Sequence, residues 1–222
     1  MPVSSPLTSV CEPERDCALC PRLAAFRESW RVEEPDWFNA PVPSFGTQTA
    51  RFLVVGLAPG LRGANRTGRP FTGDGAGDVL YPALARHGFL SGRYDARPDD
   101  GIALQDARIT NAVRCVPPEN KPTPAEIRQC APFLGATLSS MGRLKAILAL
   151  GKIAHDAVVR AYGERLAAYP FGHASQHAIA PGVTLFDSFH TSRYNMNTGR
   201  LTTAMFDAVL ASVRSHLENG KA

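Results

Sequence analysis

The sequence predicts an α/β fold: a single three-layer domain with a central four-stranded parallel sheet flanked by helices. Three observations carry this prediction. Short apolar, β-branched runs alternate with segments of helical periodicity, the pattern of parallel strands joined by crossover helices. At 222 residues and 44% hydrophobic composition the chain supplies one sizeable core, and nothing marks a second, so residues 1–222 read as one domain. Polar and glycine-rich segments follow the strand candidates directly, where open α/β sheets bind their ligands.

The four strand candidates are residues 51–57 (RFLVVGL), 108–114 (RITNAVR), 144–150 (LKAILAL) and 183–189 (VTLFDSF). Helical patterns cover 78–87, 124–140, 152–168 and 201–219. The second of these opens on a capping box, with Thr123 as N-cap, Pro124 in the first helical position and Glu126 three residues past the cap. In the last, Leu201, Met205, Ala208, Val209 and Val213 form one apolar stripe. Residues 91–101 (SGRYDARPDDG) read as a polar surface loop.

No apolar run approaches the length of a membrane span. The opening MPVSSPLTSV lacks the basic start and apolar stretch of a secretory signal. A cytoplasmic location with reduced thiols is the expectation. The formal charge of +4 favours an anionic partner mildly, and arginine supplies 20 of the 24 basic residues.

Four cysteines are split two and two: Cys17 and Cys20 close together, Cys115 and Cys130 nearly a hundred residues on. Cys17 and Cys20 lie in a polar, proline-flanked stretch, a poor place for thiols that merely pack. The arrangement suits a four-thiolate inorganic site, zinc or iron–sulfur, that staples the N-terminal segment 1–50 to the middle of the chain. A zinc ribbon calls for a second tight pair, which is missing, so the spacing favours iron–sulfur. Cys11 is a weaker ligand candidate.

Several familiar motifs fail. Gly63 and Gly68 have the spacing of a phosphate loop, but Arg69 and Pro70 stand where Lys and Ser or Thr are needed. Residues 73–77 (GDGAG) do not make a dinucleotide fingerprint, and no G-x-S-x-G elbow exists, so Ser192 beside His190 is no hydrolase dyad. His173 and His177 read as surface histidines of a loop.

Three segments are expected on one rim of the sheet: residues 56–74, Asn111, and 190–195. Together with CALCPRL (17–23), the motifs VVGLAPG (54–60), GANRTGRPFTGD (63–74), ITNAVRC (109–115) and HTSRYNMNTGR (190–200) resemble the iron–sulfur uracil-DNA glycosylases, more narrowly their type B, or family 5, branch. The resemblance runs in order from about residue 17 to about residue 210.

It implies a monofunctional DNA-repair glycosylase that flips uracil out of DNA and hydrolyses its N-glycosidic bond, leaving an abasic site. Excision of hypoxanthine and xanthine is implied as well. Gly56 belongs to the base pocket; Phe71 stacks on the base; Asn111 reads it through its carboxamide; His190 stabilises the departing anion. Related glycosylases carry a carboxylate or Asn where Leu57 stands, which leaves Asp74 as the carboxylate that supports the sugar cation or positions water. Arg62, Arg66, Arg69, Ser192, Arg193, Tyr194 and Asn195 are the expected DNA contacts, with Thr191 where many relatives have proline. Cys17, Cys20, Cys115 and Cys130 would hold a [4Fe-4S] cluster. The partner is DNA containing uracil or other deaminated bases, bound by a monomer. The alternative is a catalytically inactive iron–sulfur nucleic-acid-binding module.

Overall fold

The structure, a computed structural model, describes residues 12–219; Cys11 lies outside the described residues. All four strand candidates form, with slightly shorter bounds: β2 (Phe52–Gly56), β5 (Ala107–Asn111), β6 (Ala146–Leu150) and β8 (Val183–Ser188). They lie side by side and parallel in the order β5-β2-β6-β8. The sheet has six strands, however. An antiparallel strand closes each edge: β1 (Phe45–Gly46) on β5 and β7 (Gln176–Ala180) on β8. Neither has a run of β-branched residues, so neither announces itself locally.

Side chains alternate across β2. Phe52 and Val54 pack on one face beneath α3 (Gly77–Arg86) and α7 (Thr203–Asn219), and Leu53 and Val55 pack on the other beneath α4 (Pro124–Ser140) and α5 (Lys152–Ala161). Each such side chain is fully buried, worth about 1.5–3 kcal/mol relative to exposure. The capping box of α4 is present, with Thr123 accepting from the Glu126 amide and Glu126 from the Thr123 amide.

Four helical segments depart from the expectation. The helix expected over 152–168 stops at Ala161, because Gly163 takes a left-handed φ of +77°, and the chain continues into a short turn at Leu166–Ala168. Helix α1 (Pro21–Glu33) was unrecognised, its low amphipathicity leaving only Leu23 and Arg27 buried. Two short helices, α2 (Ala64–Thr67) and α6 (Arg193–Asn197), sit inside the motif segments. Residues 91–101 are the expected polar surface loop, closed at its base by the pairing of β3 (Leu90–Ser91) with β4 (Ala103–Leu104).

The two histidines read as surface groups are half-buried. His173 stacks on Phe189 with ring centroids 5.0 Å apart and accepts the Phe189 N–H at 3.3 Å. His177 lies on β7 with its Nε2 3.3 Å from Asp187 Oδ2. Asp187, fully buried on β8, also accepts from His155 Nδ1 at 2.7 Å, while His155 Nε2 meets the Tyr169 carbonyl at 2.8 Å. With an acceptor at each nitrogen the His155 ring is satisfied only when both carry protons. Burial disfavours that cation, but the Asp187 bond outweighs it and raises the His155 pKa. The strand leading to His190 is thus tied to α5 by a buried ion pair. Among the described residues, no helix is long and apolar enough to cross a membrane.

Candidate active site

The carboxyl edge of the sheet opens into a cavity of about 590 Å³. Residues 57–63 follow β2, residues 71–76 lead into α3, Asn111 closes β5 and His190 follows β8. Phe71, Asp74, Asn111 and His190 all line it. The residues expected on one rim therefore meet.

Gly56 and Asn111 are register partners at the ends of β2 and β5. A Cβ on Gly56 would collide with Asn111 Oδ1 and stand 2.5 Å from Phe71 Cζ. Glycine is needed here for close approach, since amide and ring both close over its bare Cα. Asn111 is 3% exposed, and its Oδ1 is buried without a hydrogen-bond partner. A buried acceptor left unpaired costs about 1–3 kcal/mol. At the wall of a cavity it is an acceptor awaiting a donor.

Phe71 adopts a left-handed φ of +54° although it carries a bulky side chain, a strained state that surrounding contacts must enforce. Tyr81 donates to the Pro70 carbonyl at 2.6 Å. The Tyr94 hydroxyl donates to the Phe71 carbonyl at 3.3 Å and accepts from the Gly73 amide at 3.4 Å. The Phe71 and His190 rings are 6.1 Å apart and tilted by 31°.

Asp74 Oδ1 accepts from the amides of Ala76 and Gly77 at 3.1 and 3.2 Å, at the start of α3. That leaves Oδ2 toward Gly60 and Gly63, where a Cβ on Gly63 would collide with it. One oxygen fixes the carboxylate and the other serves the cavity. The His190 carbonyl accepts from Asn195 Nδ2 at 2.8 Å, and Thr191, fully buried, donates to the Ala76 carbonyl at 3.2 Å, joining the His190 and Asp74 loops. Burial pushes the His190 pKa down, opposed by the Asp74 charge, so the imidazole is neutral at neutral pH and offers one N–H donor.

The sequence model of the uracil DNA glycosylase superfamily matches residues 43–214. A type-5 uracil-DNA glycosylase of Thermus thermophilus is 45% identical over 205 residues, 89% of this chain and 92% of that protein. One from Mycobacterium tuberculosis is 41% identical over 207 residues, 89% of this chain and 77% of that protein. A type-4 uracil-DNA glycosylase of Pyrobaculum aerophilum is 36% identical over 127 residues, 56% of each chain. The chain belongs to the uracil DNA glycosylase superfamily.

The residues expected to contact DNA gather around the mouth of this cavity. Arg62, Ser192 and Arg193 line it. A Cβ on Gly75 would collide with the Arg193 side chain, so Arg193 lies across the Asp74 loop. Ser192 caps α6, accepting the Asn195 amide at 3.4 Å. Arg66 and Tyr194 are exposed beside the mouth.

Two expected contacts turn inward. Asn195 spends its amide on the His190 carbonyl. Arg69 is 6% exposed, its guanidinium forked onto Asp100 at 2.7 Å and 2.7 Å; it also lies over the rings of Phe45, Tyr81 and Tyr94. A guanidinium so engaged has no fork left for a phosphate, which corrects the expected DNA contact. Asn120, unflagged in the sequence, lines the cavity at a left-handed φ of +57°; the flanking prolines of 117–122 were its only signal.

The four cysteines line a second, small void: Cys20 at the N-cap of α1, Cys17 before it, Cys115 after β5 and Cys130 on α4. None is in a disulfide. Burial pushes the Cys20 thiol up to about 11 and the Cys115 thiol up to about 12, so neither sheds its proton unless a cation takes its place. Four thiols brought to one void from three separate parts of the chain are a donor set that fits an inorganic group held by thiolates.

Proposed function

We propose that this protein excises uracil from DNA by hydrolysing the N-glycosidic bond. The observation that carries the reading is the unpaired Oδ1 of Asn111, buried between Gly56 and Phe71 and facing a cavity that His190 and Asp74 share. The superfamily match and the type-5 relatives support it.

The chemistry follows from the four groups. Once the nucleotide leaves the stack, Phe71 offers a face for its base. Asn111 Oδ1 accepts the ring N–H of uracil and its NH₂ donates to the adjacent carbonyl. Cytosine presents the reversed pattern and is rejected. As the bond lengthens, the neutral His190 N–H donates to the base O2, where negative charge collects. The free oxygen of Asp74 stabilises the sugar cation or holds the attacking water. The same carboxamide pattern matches hypoxanthine and xanthine, so we extend the proposal to other deaminated bases. Convergence of all three polar groups speaks against an inactive nucleic-acid-binding module.

Cys17, Cys20, Cys115 and Cys130 would hold a [4Fe-4S] cluster, whose role is to clamp the N-terminal segment against the strand presenting Asn111. The protein would act as a monomer in the reducing cytoplasm.

A labelled oligonucleotide with one uracil, incubated with the protein and then with alkali, should be cut at the uracil. Intact oligonucleotide at stoichiometric enzyme would reject the proposal. Parallel hypoxanthine and xanthine duplexes test the breadth, which fails if neither base is released when uracil release is complete. Absorption near about 400 nm and bound iron test the cluster; zinc without iron would exclude it.

A further inference from the structure

Arg27 occupies the inward face of α1 next to Leu23 and is 3% exposed. Its Nη1 donates to the Cys17 carbonyl at 3.1 Å and points at Cys115 Sγ at 3.8 Å. Its Nε is buried with no hydrogen-bond partner. Among the described residues, the carboxylate within ion-pair reach is Glu28 at 3.5 Å, and that side chain is 55% exposed.

A guanidinium cannot shed its charge, and a buried charge is costly unless paired and hydrogen-bonded. A half-exposed carboxylate on the neighbouring residue is a weak, solvent-screened partner. The protein therefore keeps an under-compensated cation against Cys17 and Cys115, two of the four cysteines that line the void. Neutral thiols do nothing for it. A four-thiolate site does, because it stays negative after the charge of its metal core is counted, and its sulfurs accept hydrogen bonds.

We propose that Arg27 is the buried counter-ion of the cysteine-held cluster, donating to the Cys115 thiolate and offsetting the cluster's negative charge. This rests on the iron–sulfur reading above. Hydrogen bonds to cluster sulfurs and net charge at the cluster both set its stability and reduction potential. Reduction adds an electron, so a fixed cation nearby favours the reduced state and its removal lowers the potential.

The test uses the purified, cluster-loaded chain and two variants. Arg27→Met keeps the bulk and removes the charge. Arg27→Lys keeps the charge and removes the fork, and decides the matter should the methionine variant fail to fold. Arg27→Met should release iron to a chelator about tenfold faster than the parent, the factor that follows loss of a hydrogen bond to a charged group, and should show a more negative potential by voltammetry. Arg27→Lys should keep the potential near that of the parent yet release iron faster. Variants that match the parent in both iron release and potential overturn the proposal. A parent protein free of iron would instead remove the cluster reading itself, before Arg27 is tested.

Discussion

Gly56 and Asn111 face each other across the last register pair of β2 and β5, and the amide oxygen of Asn111 fills the space where any Gly56 side chain would begin. Gly56→Ala drives a methyl group into both Asn111 and the Phe71 ring. The strand itself tolerates alanine, at about 1–3 kcal/mol of overpacking. The cavity does not, since a displacement of about 1 Å at a reacting centre costs about 10²-fold in rate. Uracil release by Gly56→Ala should fall by that factor or more while duplex affinity is kept. A variant with parental rates would show that the amide and ring do not grip the base.

Asn111→Leu tests the same site from the stability side. Leucine reproduces the branched shape of asparagine and carries no polar atom, so it removes the unpaired Oδ1, worth about 1–3 kcal/mol. At about 2–4 °C per kcal/mol for a chain of this size, Tm should rise. Excision should fall by about 10- to 100-fold, because the hydrogen bonds to the base are lost. Opposite movements of Tm and rate mark a residue held for function against stability; a falling Tm would mean that Asn111 has a structural partner.

The pKa values of His190 and His155 are displaced in opposite directions from the ordinary imidazole value. Burial depresses the His190 pKa below the usual 6.5, so the neutral donor form persists into mildly acidic solution. Single-turnover uracil release should hold steady down to pH 6.5, with any acid limb lying below it. An acid limb centred above pH 6.5 would refute a neutral His190.

The His155–Asp187 pair sets the alkaline side of stability. The folded pKa of His155 lies above 6.5, so its stabilising contribution is complete below pH 6.5 and is lost as pH rises through the folded value. Asp187→Asn leaves the imidazolium buried without its carboxylate, at a cost of about 3–5 kcal/mol. Denaturation of parent and variant across pH 6–9 should show the largest gap at the acid end. A gap that does not vary with pH would mean that His155 is neutral in the folded protein.

The parts of the site that could be read from the sequence are the contiguous ones. Asn111 ends a strand candidate, His190 follows one, and Phe71 and Asp74 lie in the motif segment that follows another, so strand order brings them to one edge. The parallel strands were legible because both their faces are buried, which leaves uninterrupted apolar runs. What could not be read depends on partners far away in the chain. Arg69 looks like any loop arginine until Asp100 folds onto it. Asp187 looks like a polar interruption of β8 until His155, from α5, reaches it. Arg27 looks like any surface arginine until Cys17 and Cys115 meet it.

Tyr94 is the clearest case of such distant support, and it has a kinetic consequence. It comes from the 91–101 segment, which the Arg69–Asp100 ion pair, nearly buried on both sides, folds against the Phe71 loop. There its ring stacks on Tyr81 at 4.5 Å and its hydroxyl bridges the Phe71 carbonyl and the Gly73 amide. That bridge spans the left-handed turn at Phe71 and ends one residue short of Asp74, so it sets the direction of both the stacking ring and the carboxylate. Tyr94→Phe keeps the ring stack and deletes the bridge. It should slow excision by about tenfold, the worth of two modest hydrogen bonds, through kcat rather than KM. Asp74→Asn should slow the reaction by orders of magnitude with DNA affinity nearly intact. If Tyr94 acts through Asp74, the double variant should be hardly slower than Asp74→Asn alone, a coupling that a purely structural loss would not produce. Additive losses would show that the bridge serves only the stability of the loop.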